Sequence, residues 1–324
     1  MTSDEILLRC GSPSGPAVLN ARRVAQEAEK AVLSLPDACH ERIEAYFFYL
    51  TADEPAIHLM PVHFLPARSQ RLVGNEPLHE LAVAAKLEYA RNRWLDEIVD
   101  DDTDASTHKL STHRLNDAIL ALIDSRYARV LHGRVARPFF ATLAGLHARH
   151  GLAMVLDGAW SWRTGTRITL EEYVEHAEAR HGPVRAPVDA VLLLAGAPEE
   201  EIRRARLSWH RWALGVQLYD DALDVEEDFR NDDLSWVVSR TLEHLRETRG
   251  DLPLGWVPDP DLFYETALTG GMVRECLAHA ESFFAESARL AEPGFPSWAA
   301  FQRECLSKAL SLREDYEKLV AEPA

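Results

Sequence analysis

The chain has 324 residues, of which 47% are hydrophobic, and its formal net charge is −17. This length accommodates one large domain or two ordinary ones, and the negative charge argues against nucleic acid and anionic membrane surfaces as partners. The four cysteines show no Cys-x-x-Cys spacing, and the first residues do not form a basic-then-apolar leader, so we expect a cytoplasmic protein. Because no apolar run approaches the roughly 20 residues that span a bilayer, we expect no integral membrane contact.

Helical periodicity extends through almost the whole chain, and no segment alternates in the manner of a β-strand. The pattern predicts an all-α protein. The predicted helices cover about 18–34, 39–50, 76–100, 112–131, 138–163, 169–181, 184–196, 198–227, 234–248, 260–290 and 297–320. Thr169 and Glu172 have the spacing of a capping box, and a Gly-Pro pair at 182–183 breaks the helix that they begin.

Acidic residues end the third predicted helix. Within 96–104 the spacing i, i+1, i+4 occurs twice, once from Asp96 through Glu97 to Asp100 and once from Asp100 to Asp104. We favour the first register, because Asp96 and Asp100 continue the helical stripe whereas the following residues are typical of a polar loop. A solvated helix end explains this cluster equally well if it is taken alone.

A second acidic cluster, at 216–228, interrupts a helix that is otherwise apolar on most sides. One stripe of this helix carries Gln217, Asp220, Asp221, Asp224 and Asp228. Carboxylates pushed into a core must take up protons unless cations neutralise them. Their hard oxygens suit Mg²⁺, which leaves coordination positions for water and substrate phosphates. The stripe therefore predicts a buried magnesium site, with a solvated acidic face as the alternative.

Three segments resemble one known family. The run Gln-Leu-Tyr-Asp-Asp-Ala-Leu-Asp at 217–224 resembles the second aspartate-rich motif of the trans-prenyl diphosphate synthases, and Asp-Glu-Ile-Val-Asp at 96–100 resembles a variant of the first. Arg180 and His181 stand where those synthases carry a Lys-Thr pair that holds diphosphate. The wider group is the class I isoprenoid (terpenoid) synthase superfamily. The resemblance extends over about 78–235. It implies that residues 1–324 form a single-domain, all-α antiparallel helical bundle of the isoprenoid synthase type, with residues 1–16 as a flexible N-terminal segment.

The resemblance also implies a metal-dependent site between the two acidic helices. Its ligands would be Asp96, Glu97, Asp100, Asp220, Asp221 and Asp224, which would hold more than one Mg²⁺ ion on a prenyl diphosphate substrate. Arg180 and Arg185 would bind the substrate diphosphate, and Gln217 would present its carbonyl group to a carbocation or position a water molecule. Aromatic candidates for the pocket wall are Tyr89, Trp94, Phe139, Phe140, Trp160, Trp162 and Tyr219, although core packing explains each of them as well. The polar segment 228–233 is a candidate lid.

The function expected first is that of a terpene cyclase that ionises one linear allylic prenyl diphosphate. Chain-elongating synthases carry a basic segment ahead of the first motif and an Arg-Arg pair after it, and neither pattern is present at 65–71 or 105–109. Prenyl transfer to isopentenyl diphosphate or to another acceptor is the alternative, and a homodimer is compatible with both. The segment 231–235 begins like a third metal motif of the cyclases, but Ser239 stands where an acid belongs, so we predict a polar loop with a helix cap there.

Two functions of other classes stay open. Glu76 with His79, and Glu178 with His181, have the Glu-x-x-His spacing of di-iron or di-manganese carboxylate oxidoreductases. Against this reading, the second pair ends at a Gly-Pro break, and the strongest acidic cluster has no histidine near it. A helical interaction protein, or an inactive relative of the isoprenoid synthases, is the other alternative.

Overall fold

The computed structural model describes residues 21–36, 50, 57, 59–69, 73–100, 106–157, 159–250 and 256–321. The α-helices in these ranges are α1 (Ala21–Val32), α2 (Met60–His63), α3 (Asn75–Asp100), α4 (Ser106–Val130), α5 (Ala136–Asp157), α6 (Leu170–His181), α7 (Ala186–Leu194), α8 (Glu199–Leu223), α9 (Val225–Asn231), α10 (Trp236–Arg249), α11 (Pro260–Thr269), α12 (Met272–Ala291) and α13 (Pro296–Ala321). Short 3₁₀ helices lie at Ala67–Ser69, Trp162–Thr164 and Gly182–Arg185. The described ranges contain no β-strand, which confirms the all-α prediction.

Some helix boundaries differ from those predicted. The helix predicted at 198–227 is two helices, α8 and α9, which are separated at Asp224. The helix predicted at 260–290 is two helices, because Gly271 adopts a left-handed φ of 87° between α11 and α12. A Cβ atom at Gly270 would lie 2.5 Å from the Thr266 carbonyl oxygen, so this turn also requires the absence of a side chain there. Residues 1–16 and most of the predicted helix 39–50 lie outside the described residues.

Helix α8 lies at the centre of the packing. It contacts α12 along its length, and α12 packs in turn against α13. Gly215 allows the close approach of α8 and α12, because a Cβ atom at that position would lie 2.6 Å from the Phe284 ring. Trp209 of α8 and Trp298 of α13 are fully buried in this region. The acids of the second motif therefore lie at the C-terminal end of a helix that the core holds rigidly.

Local sequence also determines where α6 and α8 begin. The Glu172 amide donates to Thr169 Oγ1 at 3.2 Å, and the Thr169 amide donates to Glu172 Oε2 at 2.8 Å, so the predicted capping box is present. Pro198 precedes α8, and three glutamates occupy its first turn, where the helix dipole favours negative charge. Helix α6 ends at His181, directly before the 3₁₀ helix Gly182–Arg185.

Helix α5 is apolar on average, although its apolar residues do not form one continuous run. It is long and apolar enough to cross a membrane by those two criteria alone, which core helices of soluble proteins also meet. One face, with Phe139, Leu143 and Leu146, is buried in the bundle. The opposite face exposes a short apolar stripe near the C-terminal end of the helix, including Leu152 and Val155.

Candidate active site

A cleft opens between the C-terminal halves of α3, α6 and α8, with a volume of about 750 Å³ that includes the part open to solvent. Its polar lining consists of Asn92, Arg93, Arg180, His181, Gln217 and Asp220, together with Tyr89. Its apolar lining consists of Ile57, Val184, Trp209, Trp212, Ala213 and Val216. One cavity thus offers both charged donors and an aromatic, aliphatic wall, which suits a ligand with a polar head and an apolar tail.

The cleft brings together three of the residues predicted from the sequence, namely Arg180, Gln217 and Asp220. Arg180 is directed by Asp157, whose Oδ2 lies 3.8 Å from the Arg180 Nε. Burial alone would raise the pKa of Asp157. The pKa is nevertheless lowered, because His176 donates a hydrogen bond to this carboxylate and Arg180 lies close to it. Asp157 therefore stays ionised and holds the guanidinium group at the edge of the cleft.

Asp221, the neighbour of Asp220, faces the core. Its Oδ2 accepts hydrogen bonds from the Tyr173 hydroxyl and from the Trp236 amide, both at 2.7 Å, and its Oδ1 accepts one from Gln217 Nε2 at 3.1 Å. Burial raises the pKa of Asp221 to about 6 in spite of these three donors. Both of its oxygens are engaged within the protein, and Asp221 does not belong to the cleft lining.

Asp224, which caps the C-terminus of α8, and Asp228, on α9, lie among carboxyl groups that repel one another. Burial and the nearby Asp220 and Glu227 raise the pKa of Asp224 to about 7, and burial followed by the charge of Asp221 raises that of Asp228 to about 9. These carboxyl groups cannot all ionise at neutral pH without a compensating cation. The donor set of hard, mutually repelling oxygens therefore fits Mg²⁺.

The described residues do not by themselves form a complete metal cage. Among them, no group of three or more His, Cys, Asp or Glu side chains converges closely enough to hold an ion. Mg²⁺ commonly binds through one or two carboxylates and completes its octahedron with water and substrate phosphates, so such a cage is not required. The acids at 220–228 accordingly fit a magnesium–diphosphate unit in which the substrate supplies part of the ligand set.

The first acidic motif is described only in its backbone. Helix α3 is continuous to Asp100, so Asp96, Glu97 and Asp100 all lie on it. The side chains of these residues lie outside the described part of the chain, as does the whole of Asp104. Their roles as metal ligands stay predictions.

Arg185 lies elsewhere. Its Nε is 3.4 Å from Asp189 Oδ2, its guanidinium group also contacts His210, and it does not line the cleft. Burial lowers the pKa of Arg185 even though Asp189 is adjacent. The 3₁₀ helix that follows His181 turns the chain, so that Arg185 joins an internal ion pair while Arg180 stays at the cleft.

Sequence reasoning named the wrong aromatic residues for most of the pocket wall. Of its seven candidates, only Tyr89 lines the cleft. The indoles there belong to Trp209 and Trp212, which precede Asp220 on the same face of α8 at spacings of helical periodicity. Arg93 was also missed, although it lies one turn before Asp96 on α3. Reading each acidic stripe backwards along its helix would have found all three.

The segment 228–233, expected to be a lid, is tied to the bundle. The Phe229 ring stacks on Trp162 at 4.7 Å and on Phe263 at 3.9 Å, and Trp162 Nε1 donates to the Phe229 carbonyl at 3.1 Å. Asp232 has a left-handed φ of 68° and accepts a hydrogen bond from Ser161 Oγ at 2.7 Å. These contacts argue against a lid here. Ser235 occupies the N-cap position of α10, but its side chain makes no capping hydrogen bond, so the predicted cap is present in position only.

The two Glu-x-x-His pairs have separate partners. His79 Nε2 lies 3.0 Å from Glu27, whereas His181 Nε2 lies 2.9 Å from the Gln217 carbonyl oxygen. Glu178 is 3.7 Å from His210. These contacts do not assemble the carboxylate-bridged pair of metal sites that an oxidoreductase of this type requires.

No family model and no curated protein sequence matches the chain. Among solved structures, geranylgeranyl pyrophosphate synthase from Lactobacillus brevis is 15% identical and has a TM-score of 0.69, over 88% of this chain and 94% of that one. A geranylgeranyl pyrophosphate synthetase from the archaeon Geoglobus acetivorans is 18% identical, with a TM-score of 0.68 over 91% and 98% of the two chains.

A third similar structure is the polyprenyl synthase from Caulobacter crescentus, solved with calcium and isoprenyl diphosphate. It is 16% identical, with a TM-score of 0.67 over 96% of this chain and 98% of that one. The similarity covers nearly the full length of each of the three proteins at identities that carry information on fold alone. This chain therefore has the all-α fold of the trans-prenyl diphosphate synthases, which is the fold of the class I isoprenoid synthase superfamily.

Proposed function

We propose that the protein is a Mg²⁺-dependent enzyme that transfers a prenyl group from an allylic diphosphate to an acceptor. The observation that carries this proposal is the single cleft in which Arg180 and Asp220 lie beside Trp209 and Trp212. Three neighbours in fold are named as prenyl synthases, which supports transfer over cyclisation and reverses the order of the two activities expected from the sequence.

The polar side of the cleft would bind the diphosphate. Arg180 presents directed N–H donors of the kind that pair with phosphate oxygens, and Asp157 orients it. Asp220 and Asp224 are the described residues that would hold Mg²⁺, with the acids of the first motif as predicted partners. When bound, Mg²⁺ supplies positive charge that stabilises the departing diphosphate.

The apolar side would receive the prenyl tail. Trp209 and Trp212 present indole rings, and Ile57 and Val216 complete an aliphatic surface next to them. Aromatic faces attract developing positive charge without acting as nucleophiles, and the buried wall keeps water away from the reactive carbon. Ionisation and protection of the allylic group would thus take place in the same cavity.

One observation keeps cyclisation as the second candidate. Arg68, from the segment where chain-elongating synthases are basic, pairs with Glu201 and does not line the cleft. No described residue of that segment therefore offers a site for a second diphosphate. Cyclisation, or transfer to an acceptor without a diphosphate, follows more readily from this arrangement than chain elongation.

The experiment is incubation of the full chain with C10, C15 and C20 allylic diphosphates and Mg²⁺, with and without isopentenyl diphosphate. Released diphosphate and organic products are measured. Coupled products support transfer, whereas a cyclised hydrocarbon from one substrate alone supports the second candidate. Diphosphate release from none of the substrates contradicts both. The Asp220→Asn variant is the background control.

We also infer that two copies associate through α5. Its exposed stripe consists of Leu152, Val155 and Leu156, which are 66%, 70% and 47% exposed. Three adjacent apolar side chains at that exposure favour burial against a second copy over contact with water. Light scattering should report a dimer that the paired change Leu152→Glu and Val155→Glu converts to a monomer, and a monomeric wild type would contradict the inference.

A further inference from the structure

Asp221, Gln217 and His181 form a hydrogen-bonded chain from the core to the cleft. The carboxylate of Asp221 is fixed at its far side by the Trp236 amide, an obligate donor, and by the Tyr173 hydroxyl. Its remaining contact is with Gln217 Nε2 at 3.1 Å. A carboxylate only accepts hydrogen bonds, so the NH₂ group of Gln217 must face Asp221.

This orientation determines the protonation pattern of His181. With its NH₂ group on Asp221, Gln217 presents Oε1 to His181 Nε2 at 2.9 Å. A carbonyl oxygen accepts, so Nε2 must carry the hydrogen. In a neutral imidazole the basic lone pair then belongs to Nδ1. Core contacts of Asp221 thus define which nitrogen of a cleft residue is the base.

His181 lies in the cleft that would hold the substrate. His181 lines the same cleft as Arg180, which immediately precedes it in the chain, and as Trp212 on the facing helix. We propose that His181 is a catalytic base that takes the proton lost at the end of the reaction, with Gln217 and Asp221 as its positioning residues. This inference rests on the proposed prenyl-transfer function and adds to it a requirement on the acceptor.

The reaction conserves atoms and electrons. The allylic C–O bond breaks, and its electron pair leaves with the diphosphate. The π pair of the acceptor forms the new C–C bond and leaves a carbocation next to a C–H bond. That C–H pair becomes the new double bond while the proton passes to Nδ1 of His181, and the imidazolium later yields it to water or to the departing diphosphate.

The acceptor must therefore hold a π bond and, beside it, a hydrogen that can be removed, as in an alkene or an electron-rich ring. A cyclisation that ends in proton loss meets the same requirement. An alternative role for His181 is to donate to the diphosphate, and this predicts a different result. A donor would support binding and ionisation, whereas a base acts only after the C–O bond has broken.

The first test is the His181→Gln variant. Its amide retains a donor close to the place of Nε2, so the contact with Gln217 persists while the basic lone pair is lost. The rate of coupled or cyclised product should fall by about 100-fold or more. Diphosphate release should fall far less, with the prenyl group recovered as the alcohol, and pyrophosphate affinity with Mg²⁺ should be unchanged. His132→Gln, at an exposed histidine outside the cleft, is the matched control.

The second test reads the tautomer directly in the full chain. Long-range ¹H–¹⁵N spectra with labelled histidine should show a protonated Nε2 and an unprotonated Nδ1 for His181, identified by the signals lost in His181→Gln. The change Gln217→Leu should remove that preference. This readout does not depend on turnover, so a wild type that is inactive on every prenyl diphosphate would overturn the proposed function without obscuring the His181 result.

Three outcomes overturn the inference. A wild-type His181 protonated on Nδ1 contradicts the hydrogen-bond chain. Unchanged product formation in His181→Gln would mean that the proton leaves by another route. A parallel loss of pyrophosphate affinity, ionisation and product would assign His181 to the diphosphate as a donor. If His181→Gln does not fold, His181→Asn with the same product analysis and the wild-type spectrum decide the question.

Discussion

Asp157 Oδ2 lies 3.8 Å from Arg180 Nε, and the other oxygen of the same carboxylate is 2.5 Å from His176 Nε2. The carboxylate ends α5, whereas both of its partners lie on α6. This three-membered contact orients the one arginine of the predicted diphosphate site that the structure brings to the cleft.

We expect Arg180→Ala to weaken pyrophosphate binding in the presence of Mg²⁺ by about tenfold to a hundredfold, the value of a hydrogen bond to a charged group. Arg180→Lys should retain part of the affinity because it keeps the charge but not the planar fork. Asp157→Asn should give an intermediate loss. Titration calorimetry measures all three, with exposed Arg203→Ala as control, and unchanged affinity in Arg180→Ala would return this residue to a surface role.

Asp220 and Asp221 should respond differently to the same substitution. Asp220→Asn should lower turnover at least a hundredfold with little change in melting temperature, because Asp220 lines the cleft and its proposed role is to hold the metal that binds the substrate. Asp221→Asn should instead destabilise the protein by about 1.5–3 kcal/mol, since the carboxylate accepts three internal hydrogen bonds. Thermal denaturation and steady-state kinetics separate the two effects, and an equally stable Asp221→Asn would count against the anchoring role.

Trp212 should limit the length of the prenyl group that the cleft accepts. Its indole is almost fully buried in the cleft wall, so Trp212→Leu opens space at a destabilisation of about 2–4 kcal/mol. The ratio of kcat/KM for a C20 over a C10 allylic diphosphate should rise several-fold. Trp256→Leu, outside the cleft lining, is the control. A ratio unchanged in Trp212→Leu would show that the tail lies elsewhere.

His63 should make stability depend on pH. Burial lowers the pKa of His63 to about 4, so this histidine is neutral in the folded protein while the unfolded chain takes up a proton below about pH 6.5. The free energy of unfolding therefore decreases as the pH falls from about 6.5 to about 4, and the loss reaches about 3 kcal/mol at pH 4.

The variant His63→Phe isolates this effect. Its stability relative to wild type should increase as the pH falls through that window, because phenylalanine cannot titrate and the site already packs against Trp298 and Phe301. The raised pKa values of Asp224 and Asp228 act in the opposite sense, so the difference between the two proteins is the informative quantity. Urea denaturation at pH 4.5, 5.5 and 7 measures it, and a constant difference would contradict the assignment.

Helical periodicity alone determined the all-α fold, because amphipathic stripes repeat with the helical period along nearly the whole chain. Contacts between residues close in sequence were also predicted. The capping box of Thr169 and Glu172 formed as predicted because both of its partners lie within one turn. Asp220 and Asp221 were identified for the same reason, since both lie within the last turn of α8, whereas Asp224 caps that helix and Asp228 lies on α9.

Only the tertiary structure decided which of these residues meet at the cleft. Arg180 and Arg185 are similar in sequence context, yet one is directed by Asp157 on another helix and the other is buried against Asp189 and His210. Asp220 and Asp221 are adjacent, so helix geometry alone points them to different sides, but only the contacts of Asp221 with Tyr173 and Trp236 show which of the two faces the core. Contacts between distant segments depend on how helices pack, and the hydrophobic period of a single helix does not specify that packing.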